Sequence, residues 1–442
     1  MKLRELQLKN FRCFEELTIK FPTDYTVLIG INGSGKSTIL DAIRIFLDMF
    51  TSGNRLNQSK NFFGIWSDLQ ISSSDIRRET SLTGSVLETI PQYPISVSGL
   101  TEDNKKSLTW GLTLTVSKND KNFDGQRLIE HLTELHNQLV CGEKIILPLI
   151  TYYGTTRRWM PTEMEKIDNH EIVPPEYFIP RLKGYSNCLN STIFQLDSMR
   201  KWFARMLLIE RKKNIPEFRA VKNAISTCYK NIDGRQNLEN VLIDYDAEAE
   251  DIEIQMFFCD GKTEVLPLNY LSDGSKSILT IVADIAYRMA VLNPHLLGDV
   301  IQKTDGIVLI DEIDMHLHPS WQRRIIGSLH ETFPNVQFIF TTHSPTVLTG
   351  IPKENIQILD NGTIYTPDVN TKGRDVNSIL REIMHSDIRP PETTAKLNAF
   401  AKAIEDEDLE KAQNILDELK LELGENDSEV VGSQVTLDLE RL

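Results

Sequence analysis

Residues 27–38 read Val27-Leu28-Ile29-Gly30-Ile31-Asn32-Gly33-Ser34-Gly35-Lys36-Ser37-Thr38. Three apolar residues run into a glycine, as a buried strand does when it ends at a turn. After Thr38, apolar side chains recur at Ile39, Leu40, Ile43, Phe46, Leu47 and Phe50, which is helical spacing. The unit is therefore strand, glycine loop, helix. From Gly30 to Ser37 the loop fits GxxxxGK[ST] at every fixed position. Glycines let backbone N–H groups close around a phosphate, and the helix that follows adds its positive end. Asn32, Gly33, Ser34, Gly35, Lys36, Ser37 and Thr38 are the expected nucleotide contacts, with Lys36 reaching the β- and γ-phosphates and the Ser37 hydroxyl on Mg²⁺. The implied ligands are ATP and Mg²⁺.

Upstream, Leu3, Leu6 and Leu8, then Ile19 and Phe21, read as two strands around a turn at Phe11-Arg12-Cys13-Phe14. Downstream, residues 51–127 are rich in Ser, Thr, Asn and Asp and read as surface loops and edge strands. Ile146–Gly154 is a continuous apolar run that reads as a buried central strand. Residues 185–245 read as a small helical insertion around Asp197–Lys213 and Phe218–Asn231, too short for a coiled-coil arm. Strands return at Ile252–Cys259, in the buried run Gly306–Asp314 that ends in acids, and at Asn335–Ser344, with an apolar helix from about Ile278 to Leu292. From Asn377 the sequence becomes helical and ends in an antiparallel helical pair. The alternation makes the class α/β. Four segments are expected: 1–156 as the N-terminal lobe, 157–249 as loop and helical insertion, 250–370 as the C-terminal lobe, and 371–442 as an acidic helical tail.

Ile307-Val308-Leu309-Ile310-Asp311-Glu312 is a buried strand ending in two acids. Such a strand delivers Asp311 to Mg²⁺ and leaves Glu312 to polarise an attacking water. Leu271-Ser272-Asp273-Gly274-Ser275-Lys276 is, taken alone, a polar helix start with Ser272 or Asp273 as N-cap. His343, in Phe340-Thr341-Thr342-His343-Ser344-Pro345, closes the next strand. His316 and His318 lack a third ligand and read as structural.

In this order the blocks resemble the ABC-type ATPase heads of the SMC, Rad50 and RecF group. The resemblance implies that Ser272 and Gly274 form a signature that closes over the γ-phosphate held by a second copy, giving a head-to-head homodimer or a higher oligomer. It implies further that Glu312 is the catalytic base, that Asp311 holds the metal with Ser37, and that His343 is the switch histidine on the γ-phosphate side. Arg12 then lies near the nucleotide, Asp314 in the loop that meets the opposing subunit, and Gln70 is the candidate for the glutamine loop. Asp273, Ser275 and Lys276 depart from the commonest signature, which has glycine and glutamine there.

Lys36 and Ser272 are 236 positions apart, which disfavours the transporter branch, and the chain lacks the coiled-coil insertion of SMC and Rad50 proteins. Only 99 residues follow His343, and they read as helices, so no built-in Toprim nuclease is expected. What remains resembles the PtuA family of Septu-type antiphage defence, also found beside retrons. That resemblance rests on the compact head, on Asp311–Arg323 (DEIDMHLHPSWQR), on FTTHSP, and on Gly373–Met384 leading into an acidic tail. It implies an ATPase that regulates an HNH nuclease partner, PtuB, with nucleic acid engaged through the complex. The alternative is a RecF-like repair ATPase acting as an ATP-gated DNA-binding dimer.

Net charge is −15 over 442 residues, and the last 42 hold thirteen acids against four bases. A wholly basic nucleic-acid platform is excluded, although a local patch is not. Arg157, Arg158, Arg200, Lys201, Arg205, Arg211, Lys212 and Lys213 read either as phosphate contacts or as solvated helix faces, and Trp202 and Phe203 as core. The tail reads as a docking surface for a basic nuclease, a self-association element or a solubilising cap. Five scattered cysteines without a CxxC pair, no secretory signal and no long apolar run place the chain in the cytoplasm with no membrane contact.

Overall fold

The computed structural model describes residues 1–22, 24–51, 71–83, 86–103, 106–115, 121–155, 179–190, 196–246, 248 and 251–441. The chain opens with an antiparallel hairpin, β1 (Lys2–Phe11) and β2 (Phe14–Lys20), then β3 (Tyr25–Gly30) and, past the glycine loop, α1 (Lys36–Thr51). Next come β4 (Arg78–Thr83), β5 (Val86–Pro91), β6 (Ile95–Asp103), β7 (Lys106–Leu114), β8 (Lys121–Asp124), α2 (Gln126–Val140) and β9 (Leu149–Tyr153). The middle of the chain holds α3 (Leu196–Glu210), α4 (Pro216–Asp233), β10 (Leu238–Asp246), β11 (Asp251–Phe258) and β12 (Thr263–Pro267). There follow α5 (Asp273–Leu292), α6 (Val300–Lys303), β13 (Gly306–Ile310), α7 (Pro319–Gln322), α8 (Ile325–Thr332), β14 (Val336–Thr341), α9 (Pro345–Leu348), β15 (Ile356–Asp360) and β16 (Thr363–Tyr365).

Six strands make the sheet that carries the site, in the order β16-β15-β3-β14-β13-β9. Its inner pairs are parallel. The residues of β13 and β14 are all buried, which is why both read as unbroken apolar runs. A second sheet, antiparallel, has the order β2-β1-β6-β7-β8, and a third has β10-β11-β12. Residues 51–127, read as surface loops and edge strands, thus supply three strands of the second sheet, of which β6 and β7 lie inside it. α1 packs on that sheet: the Phe46 and Trp110 rings stack with centroids 4.3 Å apart, and the Trp110 indole N–H donates to the Phe46 carbonyl at 3.0 Å. Burying a side chain such as Phe46 is worth about 1.5–3 kcal/mol.

β9, expected as a central strand, is the edge strand of the six-stranded sheet. Its apolar run has a different cause. The segment 180–190 covers the edge: the Tyr152 N–H donates to the Cys188 carbonyl at 2.8 Å, and the Tyr185 hydroxyl donates to the Pro148 carbonyl at 2.7 Å. An edge so covered is buried on both faces and needs no polar residues to discourage pairing.

The helical insertion is packed into the head. Trp202 lies 5.4 Å from Phe218 and 5.2 Å from Tyr287 between ring centroids, so α3 and α4 share an aromatic cluster with α5. Pro216 starts α4, and Gly234 at φ 59° ends it. Arg157, Arg158 and Gln70 lie outside the described residues.

The chain divides into two compact units, Met1–Gly373 and Arg374–Leu442. The second unit contains α10 (Val376–Glu382), α11 (Pro391–Glu405), α12 (Leu409–Leu423) and α13 (Ser428–Glu440). Its core joins Phe400, Ala403, Ala412, Leu416, Leu419, Val430 and Leu437, so the expected helical pair is three helices around one core. Among the described residues no helix is long and apolar enough to cross a membrane.

Candidate active site

The glycine loop leaves β3 at Gly30 and enters α1 at Lys36. Gly30, Gly33 and Gly35 have φ of 152°, 81° and 104°, a region that side chains rarely enter. A β-carbon on Gly35 would come within 2.5 Å of the Phe14 ring and 2.9 Å of Cys13 Sγ, so the β1–β2 turn closes directly on the loop. Gly33 faces open space. The Lys36 ammonium donates to the carbonyls of Gly30 and Ile31, both at 2.9 Å, and burial lowers its pKa against the opposing pull of Asp311 and Glu312.

The sheet places the acids beside this loop. β14 separates β3 from β13, and the parallel register sets Ile310 beside Phe340, so Asp311 and Thr341 emerge together. Asp311 Oδ1 accepts from the Thr341 hydroxyl and, at 3.4 Å, from the Ser37 hydroxyl. The Asp311 N–H donates to the Tyr153 carbonyl at 2.8 Å, which fixes the strand end from its other side. Glu312 sits at φ 47°, a conformation costing about 1–3 kcal/mol for a residue with a side chain. It is held there because its N–H donates to Thr341 Oγ1 at 2.7 Å and the Ile313 N–H donates to the Thr341 carbonyl at 3.0 Å.

The loop after these acids is fastened to the end of β14. The Thr342 hydroxyl donates to Asp314, and it accepts the Ser344 N–H at 3.0 Å. The Ser344 hydroxyl donates to Gln322 Oε1 at 2.7 Å, while Gln322 Nε2 donates to the Leu317 carbonyl at 3.0 Å. His343, half-buried, lies between Thr342 and Ser344. The sequence points to His343 and passes over Thr341, Thr342, Ser344 and Gln322. A signal is present: hydroxyls at the buried end of a strand require partners, and the facing strand ends in acids.

The signature residues behave locally as their composition dictates. Ser272 caps α5, its Oγ accepting the Ser275 N–H at 3.3 Å. Gly274 is buried against the acidic loop, where a β-carbon would lie 2.4 Å from the His316 carbonyl oxygen. The contacts of the signature therefore run to the loop after Glu312 within the same chain. His318 caps α7 by accepting the Ser320 N–H at 3.3 Å, which is a structural role. Among the described residues no cluster of three His, Cys, Asp or Glu side chains could hold a metal.

Arg12 sits at the turn that touches Gly35. Its Nη1 donates to Asp41 on α1 at 2.7 Å and its Nε to Asp75 at 2.8 Å. Burial alone would lower its pKa, but Asp41 and then Asp75 raise it above the ordinary arginine value. Arg44 completes the cluster, donating to Asp41 at 2.6 Å and lying 4.2 Å over the Tyr152 ring.

These residues fit a magnesium nucleotide. The loop offers a glycine cradle, and Ser34 Oγ within it is buried and, among the described residues, without a hydrogen-bond partner. Ser37 and Asp311 bring two oxygen ligands together, the donor type that Mg²⁺ requires.

Sequence comparison agrees with this geometry. The AAA domain family matches residues 5–233, and a second AAA domain family matches residues 187–349. The chain is 28% identical to the Retron Ec83 probable ATPase of Escherichia coli, covering 89% of this chain and 78% of that protein. It is 23% identical to the Septu protein PtuA of Bacillus thuringiensis, covering 92% of this chain and 91% of that one. The SMC head domain from Thermotoga maritima superposes with a TM-score of 0.43 at 16% identity, covering 84% of this chain and 100% of that one. With the matched segment spanning more than half of its length and containing the glycine loop, the chain belongs to the AAA domain family.

Proposed function

We propose that the chain is the ATP-binding and ATP-hydrolysing regulatory subunit of an antiphage defence complex, working in the cytoplasm and controlling an HNH nuclease of the PtuB type. The observation that carries the ATPase reading is the meeting of Lys36, Ser37, Asp311, Thr341 and Glu312 at the ends of three neighbouring strands. The likeness to Septu PtuA and to a retron ATPase over most of the chain supports the defence setting.

In this reading Gly30–Ser37 and Thr38 bind the triphosphate, with Lys36 exchanging its two carbonyl partners for phosphate oxygens. Ser37 and Asp311 would hold Mg²⁺, which would supply positive charge against the phosphates. Glu312 orients and deprotonates the attacking water, and His343 touches the γ-phosphate side. Ser272 and Gly274 act on the nucleotide of a second copy, so turnover requires a homodimer of heads, alone or within a higher oligomer. Nucleotide state then biases two arrangements of the heads and with them the exposure of the bound nuclease and its nucleic acid.

Glu312→Gln tests the catalytic assignment. Loss of a general base predicts turnover slowed about 10²- to 10⁴-fold, with an ATP-dependent dimer that persists in sizing experiments; unchanged turnover removes Glu312 from the role. The complex is tested separately by mass spectrometry of what co-purifies with the tagged chain from its host. A stoichiometric HNH protein supports the defence reading, whereas DNA or repair factors without a nuclease favour a RecF-like clamp.

A further inference from the structure

The β1–β2 turn that closes on Gly35 is held from outside the glycine loop. Asn10 and Arg12 have φ of 50° and 49°, a conformation that residues with side chains keep only where their surroundings enforce it. Residues 72–77 enforce it. The Arg12 N–H donates to the Asp75 carbonyl at 2.7 Å, and the Arg77 N–H donates to the Asn10 carbonyl at 2.9 Å. Between them Phe11 pairs with Ile76 in an isolated antiparallel bridge. The Arg12 side chain repeats the attachment: its Nε and Nη2 both lie 2.8 Å from Asp75 Oδ1, and its Nη1 donates to Asp41 Oδ2 on α1 at 2.7 Å. Asp75 is 4% exposed, and its other oxygen accepts the Ser72 N–H at 2.8 Å and the Ser72 hydroxyl at 2.7 Å. Arg44 donates to the second oxygen of Asp41 at 2.6 Å.

An arginine beside a glycine loop invites the reading of a phosphate contact, but this one is already engaged. Two guanidiniums meet two carboxylates, so the cluster is neutral and offers an anion little net attraction. What Arg12 secures is the turn itself, which brings the Phe14 ring to 2.5 Å and Cys13 Sγ to 2.9 Å from the place of a β-carbon on Gly35. We propose that Arg12 is a positioning residue for the glycine loop: the chain Asp75–Arg12–Asp41 clamps the β1–β2 turn onto Gly35 and keeps the loop's N–H groups in the shape that takes phosphate, without touching the nucleotide. Asp75 thereby governs nucleotide affinity from outside the loop, and a ligand or partner that moved residues 72–77 would act on the same clamp. This rests on the reading of Gly30–Ser37 as the triphosphate cradle given under the proposed function.

The test is MgATP binding and steady-state hydrolysis by the full chain carrying Arg12→Gln, Arg12→Lys, Asp75→Asn, the first and third together, and Lys36→Ala. Small displacements of binding groups cost up to about 100-fold, and the expectation for Arg12→Gln and for Asp75→Asn alike is MgATP binding about 10-fold weaker. The loss should fall on KM rather than kcat, whereas a variant that merely unfolds in part loses kcat at unchanged KM. Arg12→Lys keeps the charge but cannot bridge both carboxylates, and should lie between parent and Arg12→Gln. The double variant should bind no more weakly than either single one, because both cut one connection. The opposite sign for Asp75→Asn overturns the clamp: a phosphate-contacting Arg12 is freed by that change, so binding holds or tightens while Arg12→Gln weakens it. Independent, multiplying effects overturn it as well. If Lys36→Ala loses binding while Arg12→Gln and Asp75→Asn bind as the parent does, the inference fails and the loop reading stands. If Lys36→Ala binds normally, the loop reading fails and the inference falls with it.

Discussion

Thr341 Oγ1 lies 2.7 Å from the backbone nitrogen of Glu312 and accepts its proton, while the same hydroxyl donates to Asp311 Oδ1. One side chain on β14 therefore sets the direction of two neighbouring acids at the end of β13. Neither acid could keep its orientation by itself, since Glu312 occupies a left-handed conformation and Asp311 is buried at 3% exposure.

Thr341→Val keeps the shape and removes the hydroxyl. The Glu312 N–H loses its Thr341 partner, and Asp311 Oδ1 loses one donor while keeping Ser37; losing a buried partner costs about 1–3 kcal/mol. The expected result is a kcat lower by about 10- to 100-fold with nucleotide binding retained, measured by steady-state hydrolysis beside a binding titration. Wild-type turnover in this variant would show that the acids are held by other means.

Gly33 and Gly35 separate two reasons for glycine. Both have positive φ, but only Gly35 is walled in, by Phe14 and Cys13. Gly33→Ala should cost only the conformational term, about 1–2 kcal/mol, and leave measurable nucleotide binding. Gly35→Ala should also displace the β1–β2 turn and abolish binding, as a fluorescent nucleotide titration of the two variants would reveal.

Asp284 and Arg288 on α5 form a buried ion pair at 2.7 Å. Arg288 also donates to the carbonyls of Gly184 and Ser186, and Tyr153 donates to Asp284 at 2.8 Å. Arg288→Ala leaves a carboxylate buried without its countercharge and should lower stability by about 3–5 kcal/mol in chemical denaturation. Replacing both partners with apolar residues of similar volume should cost less than removing one.

The five cysteines are all free and fall into two classes. Cys13, Cys141 and Cys259 are exposed, whereas Cys188 and Cys228 are buried, with thiols pushed up by burial to about 12. Since the thiolate is the reactive form, alkylation of the folded protein should mark the first three and reach the other two only on unfolding. Partial burial raises the Cys13 thiol, so it should react more slowly than Cys259. Because Cys13 abuts the glycine loop, MgATP should slow it further and leave Cys259 unchanged, as timed mass spectrometry would resolve.

Much of the site is legible in the sequence because its chemistry is local. The glycine loop, the strand ending at Asp311 and Glu312, and the helix start at Ser272 each declare themselves within a few residues. What escapes is set by distant partners. Thr341 and Thr342 read as ordinary strand residues until β13 is placed beside β14. Ile146–Gly154 reads as central because a covered edge and a true centre demand the same apolar run. β6 and β7 read as edge strands because β6 pairs with β1 across some ninety residues and β7 then pairs with β6. α13, with Gly432 and several β-branched residues, has weak helix propensity and is held by packing of Val430 and Leu437.

The three strands that lead to Lys36, Thr341 and Asp311 lie side by side in the order β3-β14-β13. Adjacent strands stand about 4.8 Å apart whatever their side chains. The separation of phosphate loop from acids is thus a lattice spacing of the sheet, available in whole steps and not open to gradual adjustment. Substitutions elsewhere can bend a loop or tilt a helix, but they cannot move these groups by half a strand. Within the long stretch between Lys36 and Ser272 it is therefore β9, bracing Asp311 through the Tyr153 carbonyl, that shares in this spacing, while the surface turns lie outside it.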